Sequence, residues 1–573
     1  KLERYASIPE RERHLAEDLL WNRGDDPIAA FAAHFRAATS RTKKRASDLP
    51  LDERLAACII EGTKEGLIED LELKLKEAAP LDIINGPLMK GMDEVGRLFN
   101  ANELIVAEVL QSAEAMKAAV SYLEQFMEKS EDSTRGRIIL ATVKGDVHDI
   151  GKNLVDIILS NNGYRVINLG IKVPPEALIH AVRENHPDAI GLSGLLVKSA
   201  QQMVVTANDL RDAGIDLPML VGGAALSNRF TRGKIAPAYG GTVVYCNDAM
   251  NGLDTLNRLM TPDLRARLEA DLIEQDFGPV VSRPQTEFVE TEQRSSLVSL
   301  DIAIPSVPDL NRHIEDVSDL DEIWSYINPQ MLYGKHLGFR GKFTEFLEAG
   351  DQRARELEEK IERVKEECRR GAMSVKVVWQ FFEAESEGNR IHVFADGQRV
   401  ETFTFPRQRK PDGLCLSDFV LPPQDGRRDH IAIFATTAGA GIRELAEEAK
   451  QKGEYLRSYA LQALALESAE AAAEWIHSRL RAAWGFADDN LSRKALFQAR
   501  YRGKRYSFGY PACPDLESQA GLFRLIHPEE IGIELTEGFM MEPEASVSAI
   551  VFHHPDATYF SVGAQEMAEA SAD

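Results

Sequence analysis

The stretch Arg137-Ile-Ile-Leu-Ala-Thr-Val143-Lys-Gly-Asp146-Val-His148-Asp-Ile-Gly151-Lys-Asn153 decides the fold. A short, largely apolar run ends in Lys144-Gly145, and a helical pattern opens a few residues later. Such a run, bounded by a glycine turn, reads as a buried strand. Asp188-Ala-Ile-Gly-Leu-Ser193 and Leu217-Pro-Met-Leu-Val221 are runs of the same kind, each closing on a glycine-containing loop, with helical segments between them. Alternation of strand and helix predicts a parallel sheet with crossover helices. Such a sheet binds ligands at the carboxyl ends of its strands.

Outward from this unit the pattern changes in both directions. Upstream, apolar residues recur at helical spacing in Leu104, Val106, Val109, Leu110 and Met116. Pro80 suits the first turn of a helix, and Asn102 suits the N-cap of a helix opening at Glu103. Roughly four helices fit, hence a small bundle. Downstream, the charged and weakly periodic residues 266–300 read as a linker. Beyond them come a charged helical stretch from Gln352 to Arg370 and strands over Ser374–Phe382, Arg390–Phe394 and Val400–Phe405. A long Ala- and Glu-rich helix is expected from about Gly441 to Ala483, then a tail of loops and strands. The expected organisation is a leader over 1–40, a helical domain over 41–130, a sheet domain over 131–265, the linker over 266–300 and an α+β domain over 301–573.

Composition bounds the function. With 573 residues, at ~100–200 per domain, three or four domains are expected. The chain carries 67 Lys plus Arg against 91 Asp plus Glu, a formal net charge of −24. That balance argues against nucleic-acid binding, which needs clustered cations. No apolar run approaches the ~18–20 residues of a membrane span. Cys58, Cys246, Cys368, Cys415 and Cys513 lie far apart and form no CxxC, which suits a reducing cytoplasm rather than a disulfide framework or a zinc site. The chain opens on Lys1, and the expectation is a piece of something longer.

The chemistry sits in three loops. His148 projects from the strand end where a cofactor can reach it, and Asp146 is placed to accept the other ring N–H, fixing the tautomer as carboxylates do for metal-ligating histidines. Gly151 leaves room for a close backbone approach. The second strand ends in Ser193-Gly-Leu-Leu-Val-Lys-Ser199 and the third in Gly222-Gly223. The ordered set DxHxxG, SxL and GG resembles the cobalamin-binding family, whose fold is flavodoxin-like. The resemblance implies that His148 is the lower axial ligand of cobalt, hydrogen-bonded to Asp146, with Ser199 as the third member of the ligand triad. It also implies that Ser193, Gly222 and Gly223 line the slot for the cofactor's nucleotide tail. Gly86-Pro-Leu-Met-Lys-Gly-Met-Asp-Glu-Val-Gly-Arg-Leu-Phe99 is similar to the helical cap of methyl-carrying corrinoid proteins, with Phe99 and Val106 at the positions that shield the cofactor's upper face.

Near the end stands Arg505-Tyr-Ser-Phe-Gly509-Tyr510-Pro-Ala-Cys-Pro-Asp515. Its prolines preclude a helix, and Arg505 suits a carboxylate through a bidentate fork. RxxxGYPACPD resembles the S-adenosylmethionine-binding reactivation domain of the cobalamin-dependent methionine synthase family. By that resemblance Arg505 holds the methionine carboxylate, and Tyr510, Tyr559 and Glu470 belong to the same site. Asn328, in Tyr326-Ile-Asn328, stands where the family commonly has an acid, and Tyr506-Ser507-Phe508 replaces a Pro-Ala-Pro stretch. A neutral amide can hydrogen-bond an ammonium but cannot neutralise it.

The fold class implied is multidomain: a four-helix bundle cap, an α/β flavodoxin-like (Rossmann-like) parallel sheet, then the α+β reactivation domain. The function implied is that of a methyltransferase part. It carries a methyl group on cobalamin (methylcobalamin) between methyltetrahydrofolate and homocysteine, and it reactivates cob(II)alamin by reductive methylation with S-adenosylmethionine. The partners implied are flavodoxin or a similar electron donor and the homocysteine and methyltetrahydrofolate domains of a full chain, where zinc would also reside. A cytoplasmic monomer is expected. The alternative is a stand-alone corrinoid methyl carrier or cobalamin sensor. Such sensors add a DNA-binding domain, and no basic recognition helix is evident.

Overall fold

The computed structural model of the chain describes residues 49–126, 134–274, 292–423, 427–488 and 491–562, with the isolated residues 14, 15 and 18. The expected leader over 1–40 falls almost wholly outside them.

The helices Leu51–Glu61, Leu67–Lys74, Met89–Asn100 and Val106–Leu123 pack around Leu55, Ile59, Leu71, Leu88, Met92 and Met116. Pro80 does open a short helical turn, Pro80–Ile83. Asn102 does not cap the next helix. It takes a left-handed conformation (φ +62°) after the preceding one, and the helix begins at Val106, where the Glu108 carboxylate accepts the Ile105 N–H at 2.9 Å. A side chain reaching back from inside the first turn does here what a cap residue would do from outside it.

Five parallel strands follow: β1 (Gly136–Thr142), β2 (Tyr164–Asn168), β3 (Ala189–Ser193), β4 (Met219–Gly222) and β5 (Val243–Tyr245), in the order β2-β1-β3-β4-β5. Their inner residues, among them Ile138, Ile139, Ile190 and Val221, are buried because helices cover both faces. The strand order reverses at β1 and β3, so the loops leaving their carboxyl ends diverge and open a crevice.

Of residues 266–300, those up to Glu274 complete the helix Pro262–Glu274. Further on, the Arg294 guanidinium donates to the Val420 carbonyl at 2.8 Å, and Val298 is buried against the last region. That region is built on an antiparallel sheet of β6 (His313–Val317), β7 (Val375–Glu387), β8 (Arg390–Ala395), β9 (Gln398–Thr404), β10 (Asp429–Thr437), β11 (Lys504–Tyr506) and β14 (Ser546–Phe552). The order is β11-β14-β10-β7-β8-β9, with β6 beside β7. A small ribbon, β12 (Glu534–Leu535) with β13 (Met541–Glu542), precedes β14. The long helix foreseen over 441–483 is two, Ile442–Gln451 and Tyr455–Ala483. Gly453, at φ +73°, breaks the run. The second helix lies across the sheet on a row of buried alanines that includes Ala460, Ala463, Ala469 and Ala472. No helix among the described residues is long and apolar enough to cross a membrane.

His477, on this helix, has no exposed surface, and neither ring nitrogen has a hydrogen-bond partner among the described residues. Burial, reinforced by the nearby Arg481, Arg505 and Lys504 cations, pushes its pKa well below 6.5. The unfolded chain therefore takes up a proton near pH 6.5 that the folded chain refuses, and stability falls as pH drops through that value. From pH 7 to pH 5 this one group can cost at most about 2 kcal/mol, the limit for a ring that stays neutral in the folded chain throughout. In thermal melts, His477→Gln is expected to lose less stability over that interval than the parent chain. An equal loss in the two would refute the assignment.

Candidate active site

The loop after β1 folds back on itself around one carboxylate. Asp146 has no exposed surface. Its Oδ1 accepts the His148 backbone N–H at 2.9 Å and lies 2.7 Å from His148 Nδ1. Its Oδ2 accepts the Ser199 hydroxyl at 2.5 Å and the Leu195 N–H at 2.8 Å, both from the far side of the crevice. Nδ1 is thereby committed as a donor, and Nε2 is left as the free ring nitrogen on a side chain 23% exposed. Burial pushes the Asp146 carboxyl up, but His148 and Ser199 together hold it below the usual carboxylate range. Burial opposes the charge of His148 too, yet Asp146, Glu544 and Asp149 hold its pKa above the ordinary value.

The surrounding backbone is drawn close. The Gly194 N–H donates to the Gly222 carbonyl at 3.2 Å. A Cβ on Gly223 (φ +141°) would stand 1.7 Å from the Gly194 oxygen, so the loops after β3 and β4 meet at a point where a side chain has no room. Ser193 pairs with Thr142 and Gly222 at the ends of β1 and β4. A Cβ on Gly151 would meet no neighbouring side chain or loop within 4 Å among the described residues, so packing does not demand that glycine. A histidine with Nδ1 held by a buried carboxylate and Nε2 free is the donor arrangement of a metal-ligating imidazole. These residues would suit a group that takes one imidazole nitrogen and rests against close-packed glycine backbone.

The antiparallel region lies against this edge. Thr536 donates its hydroxyl to the Gly145 carbonyl at 3.2 Å, and Glu544 accepts the Asp149 N–H at 3.3 Å. Burial pushes the Glu544 carboxyl up to about 7, against the pull of nearby His148. A cavity of about 280 Å³ between the two regions is lined by Asp149, Arg443, Gln462, Leu466 and Glu544, among others. Phe99 is packed elsewhere, with the cluster of Val95, Val109 and Leu256, while Val106 lies against Gly338.

A second constellation lies along the Tyr455–Ala483 helix. Arg505, on β11, donates from Nη1 to Glu474 at 2.5 Å, and its Nη2 stands 3.8 Å from Glu470. The Tyr501 hydroxyl donates to Glu474 at 3.3 Å. Tyr510 is 59% exposed and Tyr559 52%, two large apolar faces left open to solvent. Although the rings are open, desolvation of the phenol groups raises both pKa values, and the Arg505 cation opposes the rise in each. Arg505, Glu470, Tyr510 and Tyr559 are thus brought together. Asn328 uses its side-chain oxygen to accept the Gln330 N–H at 3.0 Å, at the start of a helical turn, and no hydrogen bond among the described residues joins it to Arg505.

Two residues of these sites lie outside the motifs. Glu544 comes 395 residues after Asp149 with no motif of its own. Glu474 was visible only as one of several glutamates at helical spacing.

Comparison with known proteins places these sites in context. Residues 319–570 match the family described as vitamin B12 dependent methionine synthase, activation domain. Residues 51–124 and 136–243 each match a B12 binding domain. The chain is 37% identical over 607 aligned residues to the methionine synthase of Mycobacterium tuberculosis, covering 97% of this chain and 50% of that protein. Its identity to the methionine synthase of Mycobacterium leprae is 35%, with the same coverage. The chain therefore spans about half the length of these curated relatives. Among solved structures, a MetH reactivation domain bound to AdoHcy is 28% identical, with a TM-score of 0.43 over 46% of this chain and 84% of that one.

The contact at Gly223 yields a direct test. Gly223→Ala forces the backbone off the Gly194 carbonyl at a conformation that side chains rarely adopt, a cost of roughly 1–3 kcal/mol. Calorimetry should show the unfolding of the parallel-sheet region moved to lower temperature. An unshifted transition would mean that the two loops do not touch as described.

Proposed function

Because the chain belongs to the vitamin B12-dependent methionine synthase family, with the activation domain at residues 319–570 and B12 binding domains at residues 51–124 and 136–243, we propose that it binds a cobalamin at the carboxyl edge of β1 and β3 and S-adenosylmethionine beside Arg505. In this reading it is the cofactor-carrying and reactivating part of a methyltransferase. It works with homocysteine and methyltetrahydrofolate domains and with an electron donor such as a flavodoxin, in the cytoplasm. The working units are the cap over 41–130, the cobalamin domain over 131–265 and the reactivation domain over 301–573. The observation that carries the proposal is the Asp146 network, which holds one nitrogen of His148 and leaves the other free at the mouth where the two regions meet.

When bound, the corrin's cobalt supplies the methyl-carrying and electron-accepting chemistry, and the protein sets its ligation. Asp146 keeps the Nδ1 proton in place and so makes Nε2 the ligating atom, with greater basicity than an unassisted imidazole. Ser199 Oγ and Leu195 N hold Asp146 so that it cannot turn away. When the ring is not ligating, Nε2 can keep a proton, because Asp146 and Glu544 both face the resulting imidazolium. Ser193, Gly222 and Gly223 line the slot for the nucleotide tail. At the second site Arg505 meets the ligand's carboxylate, Glu470 its cationic end, and Tyr510 and Tyr559 flank it. Phe99 and Val106 shield the cofactor in a different arrangement of the cap, since here Glu544 is the group laid beside His148. Exchange between arrangements is then part of the cycle.

Two measurements test this. His148→Gly mixed with methylcobalamin should give an absorption spectrum without nitrogen ligation below the cobalt; a spectrum equal to that of the parent would remove the ligand assignment. Arg505→Ala should weaken S-adenosylmethionine binding by about tenfold or more, the worth of a charge-assisted hydrogen-bonded pair. Equal affinity in calorimetric titration would dismiss the carboxylate role.

A further inference from the structure

We infer that Glu474 is the positioning residue for Arg505, presenting the guanidinium so that its remaining donors can take a ligand carboxylate. The inference rests on the reading of the Arg505 site as one for S-adenosylmethionine. Glu474 differs from its neighbour Glu470 in every respect that matters for holding an arginine still. Its side chain is 12% exposed against 50% for Glu470. Its Oε2 accepts from Arg505 at 2.5 Å and from the Tyr501 hydroxyl at 3.3 Å. Its Oε1 faces Arg481 at 3.5 Å.

Arg481 is itself immobile. It has no exposed surface, it is paired with Asp488, and its guanidinium lies 3.8 Å over the Tyr501 ring. Glu474, His477 and Arg481 follow one another at spacings of three and four residues, so they share one stripe of the helix. A row of alternating charge results: Asp488, Arg481, Glu474, Arg505. Each member is held by the one before it, and Arg505, at the end of the row, adjoins Tyr510 and Tyr559.

The geometry separates the two ends of the guanidinium. Glu474 occupies Nη1. Nη2 is beyond hydrogen-bonding distance of Glu470, at 3.8 Å. Nε and Nη2 are the pair of donors that a bidentate carboxylate uses. Glu470, half exposed, is free to turn toward a cationic centre. With Glu474 neutral, Arg481 and Arg505 would face each other with one carboxylate fewer between them. Glu470 would then be the nearest counter-ion for Arg505 and would compete with the ligand's carboxylate for it.

A positioning role and a merely structural one differ in which ligands they affect. Decarboxylated S-adenosylmethionine keeps the adenosine, the sulfonium and the amine and lacks only the group that Arg505 would hold. Calorimetric titrations with both ligands, on the full chain, decide the matter. Glu474→Gln is expected to weaken S-adenosylmethionine binding by about 10- to 100-fold and to leave the decarboxylated ligand within about twofold. The Glu474→Gln, Arg505→Ala pair should bind no worse than Arg505→Ala alone, because one residue acts through the other. Equal weakening of both ligands, or additive losses in the pair, would overturn the inference. If Arg505→Ala itself fails to discriminate the two ligands, the reading of the site is at fault rather than the role of Glu474. Should Glu474→Gln not fold, Tyr501→Phe loosens the same carboxylate without changing charge. It should show a smaller loss confined to the carboxylate-bearing ligand, and no selective loss would overturn the inference.

Discussion

The Asp146 carboxylate is the interaction on which the rest depends. A carboxylate with no exposed surface is tenable only if its lone pairs are met by donors. Here four donors meet it, two from the loop after β1 and two from the segment after β3. The two sides of the crevice are thereby tied at one point, and neither can shift without unpairing a buried charge. The tie also dictates nearby residue choice. A Cβ at Gly194 would stand 2.7 Å from that of Ser199 and 3.3 Å from Asp146 Oδ2, so the network and a side chain cannot coexist there. Rigidity of this kind is what a histidine ligand needs, since its free nitrogen is only as well aimed as the carboxylate behind it.

The helix that leaves this loop, Ile150–Ser160, then serves as the hub between domains. Asn153 on it donates to Gln462, and Asp156 pairs with Lys450, both across to the antiparallel region. The cap joins from the side, where the Glu114 carboxylate accepts the Leu456 N–H at 2.9 Å, at the start of the long helix. Gly538 comes so near Gly145 that a Cβ would lie 3.0 Å from the Gly145 oxygen. These contacts place Glu544 beside His148 and join the helical region to the start of the long helix.

The parts legible in the sequence were those whose signal is local. Short apolar runs ending in glycine loops announced the parallel sheet, and Asp146 and His148 stand two residues apart in the loop that the first run leads into. Ser199 could be placed by resemblance because its loop follows a recognisable strand. What escaped was set by tertiary contact or by single backbone angles. The break at Gly453 looks like a tolerated glycine inside a helical pattern. Asn102 has the chemistry of a cap but adopts a left-handed turn instead. Glu474 has the spacing of a solvated helix face, and only the approach of Arg505 on β11 makes it an anchor. Glu544 lies beside His148 solely because two domains dock, which no local pattern encodes.

The net charge of −24 takes on a sharper meaning at that docking surface. The cobalamin-type sheet contributes cations from the loops around its carboxyl edge, and the antiparallel region contributes acids. Lys144 meets Glu537, Lys172 meets Glu542 and Lys198 meets Glu517. Every one of these lysines is at least 40% exposed, so the pairs are solvated and each contributes little to holding the surfaces together. Their value is orientation: a locally basic edge on an acidic molecule finds the acidic face of its neighbour and excludes wrong registers. The better-buried pair, Lys450 with Asp156, is a single contact at the hub. An interface of three weak pairs around one better-buried point is specific yet releasable.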